Sequence, residues 1–286
     1  MSKETGGAVV VTGASTGIGA ACALYLDRIG FRVFAGVRKE SDGEALRSKA
    51  SSRLSTLLLD VTDGESIAAA RDTVAEVVGD DGLAGLVNNA GISVNAPLEF
   101  IPLDKLRLQL EVNVVGQIAV TQAFLEMLRV AKGRVVNIGS TSGRLSIPMG
   151  GPYCASKFAM EALSDSLRME LLPWGIEVSL VQPGAIDTPI WEKSLAAGDA
   201  LLESLPARMM ELYEPLVEKI KKGASQSAKG AVPAQHVADA VAHALTAHKP
   251  KTRYLVGKDA RIQMLLTWLP DRWRDSIILK MIDKAV

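Results

Sequence analysis

The sequence predicts an α/β fold built on a parallel sheet of about seven strands, and two observations predict it. Short β-branched runs alternate with stretches whose apolar residues recur at helical spacing, from Ala8 as far as Val256. The first run, residues 8–12, passes straight into Gly13-Ala14-Ser15-Thr16-Gly17-Ile18-Gly19, a glycine-rich turn between strand and helix. The 286 residues, 48% hydrophobic and 22% charged, suffice to bury the core of one such domain.

Composition narrows the function classes. Lys+Arg and Asp+Glu both number 32, so nothing in the balance favours a polyanion such as nucleic acid, and the expected partner is a small molecule. Cys22 and Cys154 form no C-x-x-C pair and read as structural thiols of a reducing compartment. The opening stretch, residues 1–7, lacks the apolar core of a signal peptide, and no uninterrupted apolar run reaches bilayer length. The expectation is a soluble, cytoplasmic protein.

Taken in order, residues 8–12 (AVVVT) form the first strand. The glycines after it permit a tight turn and close approach of a phosphate to backbone N–H groups, and the helix beginning at Ala20 presents its dipole to that phosphate. The spacing differs from the G-x-G-x-x-G dinucleotide fingerprint. Residues 31–37 form the second strand. The place where a carboxylate would meet a ribose 2′-hydroxyl holds Val37, followed by Arg38 and Lys39, which suits a 2′-phosphate and so NADP(H) over NAD(H). Residues 54–59 form the third strand and end at Asp60, Val61, Thr62 and Asp63. Asp63 or Thr62 caps the next helix, whose apolar positions are Ile67, Ala68, Val74, Val77 and Val78, which leaves Asp60 free to face a cofactor.

Residues 83–87 form the fourth strand and break into Asn88-Asn89-Ala90-Gly91, at the edge where open α/β sheets bind ligands. Plain turn chemistry is the other account of the two asparagines. A long helix is expected from Asp104 to about Leu128, with Leu106, Leu110, Val114, Ile118 and Phe124 towards the sheet. Asn113 sits in its middle, where asparagine is a poor helix former, either because it faces solvent or because a kink there serves a site. Residues 134–139 form the fifth strand and deliver Ser140, Thr141 and Ser142 at its carboxyl end.

The following helix opens after Pro152 with Tyr153-Cys154-Ala155-Ser156-Lys157, placing Tyr153 and Lys157 on one face. An ammonium near a phenol favours the phenolate and yields an acid/base group usable near neutral pH. The hydroxyl facing that phenol is left open among Ser140, Thr141 and Ser142. Residues 176–181 form the sixth strand, leading into Gln182-Pro183-Gly184-Ala185-Ile186-Asp187-Thr188. Beyond Thr188, to about residue 230, Met209, Met210, Leu212, Tyr213, Leu216 and Val217 alternate with charges, as a substrate lid or a surface helix does. Pro233 opens a helix through Leu245, and residues 252–257 close the sheet. The tail, about 261–286, interleaves Ile262, Leu265, Trp268, Trp273, Ile278 and Met281 with Arg272, Arg274 and Lys280. It reads as helix packed on its own domain or on a twin subunit, with shallow membrane contact as the other account.

Together these motifs resemble the short-chain dehydrogenase/reductase family along most of the chain. The matching elements are Thr12-Gly13-x-x-x-Gly17-Ile18-Gly19, Asp60, Asn88-Asn89-Ala90-Gly91, Asn113, Ser140, Tyr153-x-x-x-Lys157 and Pro183-Gly184, in the family's order. Residues 33–39 look most like the hydroxysteroid/retinol dehydrogenase branch. The resemblance implies a single Rossmann-like doubly wound sheet with helices on both faces, a nicotinamide cofactor, and a homodimer or homotetramer. It implies Tyr153 as acid/base at the substrate oxygen, Lys157 lowering its pKa and holding the nicotinamide ribose, Ser140 bonding the substrate oxygen, and Asn113 holding the lysine through a water. It further implies cofactor contacts along Gly13, Ser15, Thr16, Gly17, Ile18 and Gly19, then at Asp60, Val61, Asn89, Ala90, Gly91, Pro183, Gly184, Ile186 and Thr188. No metal is implied. The expected activity is hydride transfer between a nicotinamide cofactor, NADP(H) in preference to a possible NAD(H), and a hydrophobic secondary or primary alcohol or its ketone or aldehyde, of steroid, retinoid or long-chain type. The competing class is an NADP(H)-sensing module with little turnover.

Overall fold

The computed structural model describes residues 6–284; most of the opening stretch read above as lacking a signal peptide lies outside them. Seven strands run parallel in one sheet: β1 (Ala8–Val11), β2 (Arg32–Val37), β3 (Leu54–Leu58), β4 (Gly85–Asn88), β5 (Arg134–Ile138), β6 (Glu177–Pro183) and, after two short strands, β9 (Arg253–Val256). The sheet order is β3-β2-β1-β4-β5-β6-β9. Winding goes outward from β1 in one direction and from β4 in the other, so the chain reverses between β1 and β4, and a crevice opens there at the strands' carboxyl ends. The two short strands, β7 (Ile186–Asp187) and β8 (Val232–Pro233), pair in parallel with each other. Both are too short to leave a period in the sequence. Pro233 therefore lies in β8, and the helix it was expected to open starts at Gln235.

Alternation along β1 shows how the sheet is covered. Val9 and Val11 enter a core shared with α1 (Gly17–Arg28) and α9 (Gln235–Thr246), while Val10 enters one shared with α3 (Gly64–Val78) and α5 (Gly116–Ala131). Helix α1 begins three residues before the expected start, so the last two glycines of the turn form its first helical residues. Asp63 caps α3, its side chain accepting a hydrogen bond from the Glu65 N–H. Val77, expected on the inner face of α3, is exposed, whereas Ala70 is buried.

The expected long helix is α4 (Leu103–Leu110), a π-helical turn over Glu111–Val115, and α5 without a break. The extra residue of a π turn rotates the helix face. Ahead of it the buried position is Gln109, within it Asn113, and after it Gly116, Gln117, Val120, Thr121, Phe124 and Leu128. The apolar stripe Leu106, Leu110, Val114 and Ile118 is only partly buried, so the expected inner face is corrected. By length and mean composition Leu103–Ala131 also passes as a membrane span, but charges interrupt its apolar run and its α5 half packs on the sheet.

Helix α2 (Glu40–Arg47) covers the β2–β3 edge, and α6 (Gly151–Leu171) packs along β6. Two helices follow β7, α7 (Ile190–Ser204) and α8 (Ala207–Lys229), and share a small separate core of Met149, Leu202, Met209 and Val217. Met210 and Leu212 of α8 are exposed. The chain ends in α10 (Lys258–Leu266) and α11 (Asp271–Lys284). Ile278 is buried and Lys219 pairs with Asp283, so α11 rests on α8, yet Trp268 and Trp273 are 86% and 67% exposed. Packing on its own domain accounts for little of the tail's apolar surface.

Candidate active site

Pro152 stands in the first turn of α6, where its missing N–H costs nothing. One turn on, the Lys157 ammonium lies 5.7 Å from the centre of the Tyr153 ring, so the shared face is present. Lys157 is buried and its Nζ donates to the Ile138 carbonyl at 2.8 Å, at the tip of β5. Burial disfavours its charge and draws its pKa down to about 8. Burial also pushes the Tyr153 phenol above its usual value, opposed by the Ser140 hydroxyl facing it. Its own desolvation outweighs that hydrogen bond, so the phenol is raised, against the lowering expected from the ammonium.

Ser140, two residues beyond β5, is extended and caps a 3-10 turn over Thr141–Gly143, its Oγ accepting the Ser142 N–H at 3.1 Å. Of the three hydroxyls left open by spacing, it is Ser140 that meets the phenol.

Asn113 lies in the π turn, fully buried, which removes solvent exposure as its reason for being there. Its Oδ1 accepts the Ile92 N–H at 2.9 Å, and its Nδ2 donates to the Ile92 carbonyl at 3.0 Å and to Ser156 Oγ at 3.1 Å. Ser156 Oγ donates in turn to the Tyr153 carbonyl at 2.7 Å, so the amide ties the loop after β4 to the Tyr153–Lys157 turn. Two residues that sequence reasoning missed do the same work on either side. Gln109 clips Ile92 and Val94, accepting from the Val94 N–H and donating to the Ile92 carbonyl, and Gln117 donates to the Ala90 carbonyl at 2.9 Å. Amides recurring every fourth residue through 109, 113 and 117 were the available signal.

The glycine turn is locked to the same loop. Thr12 Oγ1 accepts the N–H groups of Asn89 and Ala90 at 2.9 and 3.0 Å, and Asn89 Nδ2 donates to the carbonyls of Thr12 and Gly13. Gly13 has φ +62°, and a Cβ there would sit 2.7 Å from Ala90 Cα; Gly17 has φ +59° and faces Thr188. Gly91 lies against Asn113. Asn88, buried at the end of β4, bonds Asn137 on β5 and Thr121 on α5 and is no plain turn residue. Thr16 caps α1 with no side-chain bond, and the first turn of α1 holds no acid. With Ser15 and Ile18 beside it, this open helix N-terminus fits the anionic diphosphate of a dinucleotide.

Arg38 and Lys39 are exposed at the end of β2. Asp60 accepts hydrogen bonds from the Thr62 N–H at 3.0 Å and hydroxyl at 2.8 Å, which with the nearby Arg38 charge hold its carboxyl below the usual range. Val61 is buried against Gly116. On the far side, Pro183 ends β6, the Asp259 carboxylate fills the space a side chain at Gly184 would need, and Ile186 is buried in β7. A cavity of about 540 Å³ borders the first turns of α6, lined chiefly by Leu98, Ile147, Met149, Phe158, Tyr213 and Leu216. Tyr213 spans its rim, bonding Glu99 at 2.8 Å and meeting Phe100 edge-on.

A family model described as short chain dehydrogenase matches residues 7–198. Retinol dehydrogenase 7 of Mus musculus is 41% identical over 94% of this chain and 87% of its own. An NADPH-dependent 3-dehydrocapnine reductase of Ornithobacterium rhinotracheale is 37% identical over 96% and 97%. Among solved structures, a short chain dehydrogenase from Burkholderia cenocepacia in complex with NADP superposes with TM-score 0.73 at 25% identity, covering 98% of this chain and 99% of that one.

Proposed function

The chain belongs to the short-chain dehydrogenase family, in its retinol and hydroxysteroid dehydrogenase branch, and on that premise we propose that it interconverts a long apolar alcohol and its ketone or aldehyde, preferring NADP(H). It is an oxidoreductase with a nicotinamide cofactor. The observation that carries the reading is the buried face of α6 on which Tyr153 and Lys157 stand together, opposite Ser140.

Burial keeps Tyr153 a neutral phenol at neutral pH, so in the reducing direction it is an acid that gives its proton to the substrate oxygen. Ser140 donates a hydrogen bond to that oxygen and to the negative charge growing on it. Lys157 supports the phenolate left behind and holds the ribose, and Asn113 fixes the turn that carries both. When bound, the nicotinamide supplies the hydride in reduction and takes it in oxidation. Its diphosphate would rest on Gly13, Ser15, Thr16, Gly17, Ile18 and Gly19, its adenosine side near Asp60, Val61, Asn89, Ala90 and Gly91, and its amide near Pro183, Gly184, Ile186 and Thr188. Arg38 and Lys39 would meet a 2′-phosphate, which supports NADP(H).

The apolar cavity supports a hydrophobic substrate, with α7 and α8 as its lid, and a relative named as an NADPH-dependent reductase supports the same direction of chemistry. The working form is a homodimer or homotetramer in the cytoplasm, touching an anionic bilayer through α10 and α11. The exposed tryptophans support that contact, as do Arg261, Arg272 and Lys280, which have no ion-pair partner among the described residues. The test is Tyr153→Phe with all-trans-retinal and a ketosteroid as substrates and NADPH as reductant. Turnover should fall by about 10²- to 10⁴-fold with NADPH affinity unchanged. Turnover equal to the wild type would refute the reading.

A further inference from the structure

We infer that Glu161 is a positioning residue that holds the Ser140 turn, the Tyr153–Lys157 helix and the loop after β6 in one register. The inference rests on the proposed pairing of Ser140 with Tyr153. Glu161 lies one turn beyond Lys157 on α6 and is 7% exposed. A buried carboxylate is costly unless paired and hydrogen-bonded, and this one has a partner on each neighbouring element. It accepts from Gln182 Nε2 on β6, one residue before Pro183, and from Arg253 Nε on β9 at 2.9 Å. Arg144, the first residue after the Thr141–Gly143 turn, has its guanidinium 3.7 Å from Oε2, the oxygen that Arg253 also bonds. Arg253 extends the bracing with a 2.7 Å bond to Asp165, a further turn along α6.

The packing behind the pairing leaves little slack. A Cβ at Gly143 would lie 2.8 Å from the Lys157 carbonyl and 3.2 Å from Glu161 Cγ, so the Ser140 turn rests directly on the catalytic helix. Sequence separation hides this. Arg144, Glu161, Gln182 and Arg253 are scattered over more than a hundred positions and belong to no recognised motif. None touches the phenol, yet each fixes a segment bearing one of the reacting groups or the groups beside the nicotinamide. Misplacing such a segment by about an ångström costs on the order of 10²-fold in rate.

The experiment reads Tyr153 itself, without substrate, by ultraviolet titration of the phenol, with Tyr153→Phe as the subtraction that isolates its signal. Ser140→Ala calibrates the upward shift expected when the opposing hydroxyl is lost. Glu161→Gln should move the phenol's midpoint upward by a large part of that calibration. Removing a carboxylate by charge alone would move it downward, so the sign separates loosened geometry from lost charge. A downward or absent shift overturns the inference. Arg144→Ala, at an exposed side chain that leaves the core intact, should lower the single-turnover rate with NADPH and all-trans-retinal by roughly tenfold, with KM and melting temperature unchanged. Arg144→Lys should restore part of it. An unaltered rate, or a loss matched by lost cofactor binding, overturns it too. The titration stands whether or not Tyr153→Phe abolishes turnover, so failure here and failure of the proposed function are told apart.

Discussion

Lys157 is kept charged at neutral pH in surroundings that penalise the charge, and the sign of that penalty is open to measurement. Its pKa is about 8 in the fold against 10.5 in the unfolded chain, so between those values the unfolded state holds the extra proton. The destabilisation is complete below pH 8 and vanishes as pH rises towards 10.5. Lys157→Met should therefore be inactive yet more stable than the wild type at pH 7 in urea unfolding. At 1.36 kcal/mol per pH unit the gain is roughly 3 kcal/mol, less about 1 for the lost bond to Ile138, and it should shrink as pH rises through 8. A gap that widens with pH would contradict the account. Arg38 answers a different question. If its guanidinium meets a 2′-phosphate, Arg38→Ala weakens NADPH binding by about 10- to 100-fold in calorimetry and leaves NADH alone. Equal loss for both would reduce Arg38 to surface charge. At this scale the sequence was legible where a residue type was out of place. Asn113 stood out in a helix, and its burial gives the reason. Gln109 and Gln117 did not stand out singly, because glutamine is an ordinary helical residue; only their recurrence with Asn113 at every fourth position marked them, and their partners in the loop after β4 give the reason.

Elements were legible where they are long and periodic, and illegible where a local device breaks the period. All seven strands of the main sheet lie where β-branched runs placed them, to within two residues at either end. The π turn at Glu111–Val115 is the counterexample. It shifts the face of a continuous helix, so an apolar stripe counted at constant spacing picks out the wrong side. The tail illustrates the other failure. Helical spacing in α10 and α11 reports amphipathicity and is silent on what covers the apolar face. Trp268 and Trp273 flank Pro270 at the bend between the two helices and point their rings outward. Replacing both with serine should abolish co-sedimentation with phosphatidylserine-containing vesicles while leaving cofactor binding intact. Wild-type protein that stays in the supernatant at low salt would end the membrane reading.

For the whole molecule, the parallel sheet and its winding bring residues from Gly13 to Thr188 to one edge, which alternation of strands and helices already implied. What the pattern did not carry is the subdivision of the interior. Two large cores lie on the two faces of the sheet, whereas among the described residues Met149, Leu202, Met209 and Val217 form a third cluster separate from both. Few apolar contacts mean a low local free energy of opening, and Pro215 takes one more hydrogen bond from the middle of α8. Heat or mild denaturant therefore reaches α7 and α8 long before the sheet gives way. On the proposed reading of α7 and α8 as the lid, the protein over that interval should still hold its nucleotide with the apolar chamber open, so gentle warming should cost substrate binding before cofactor binding.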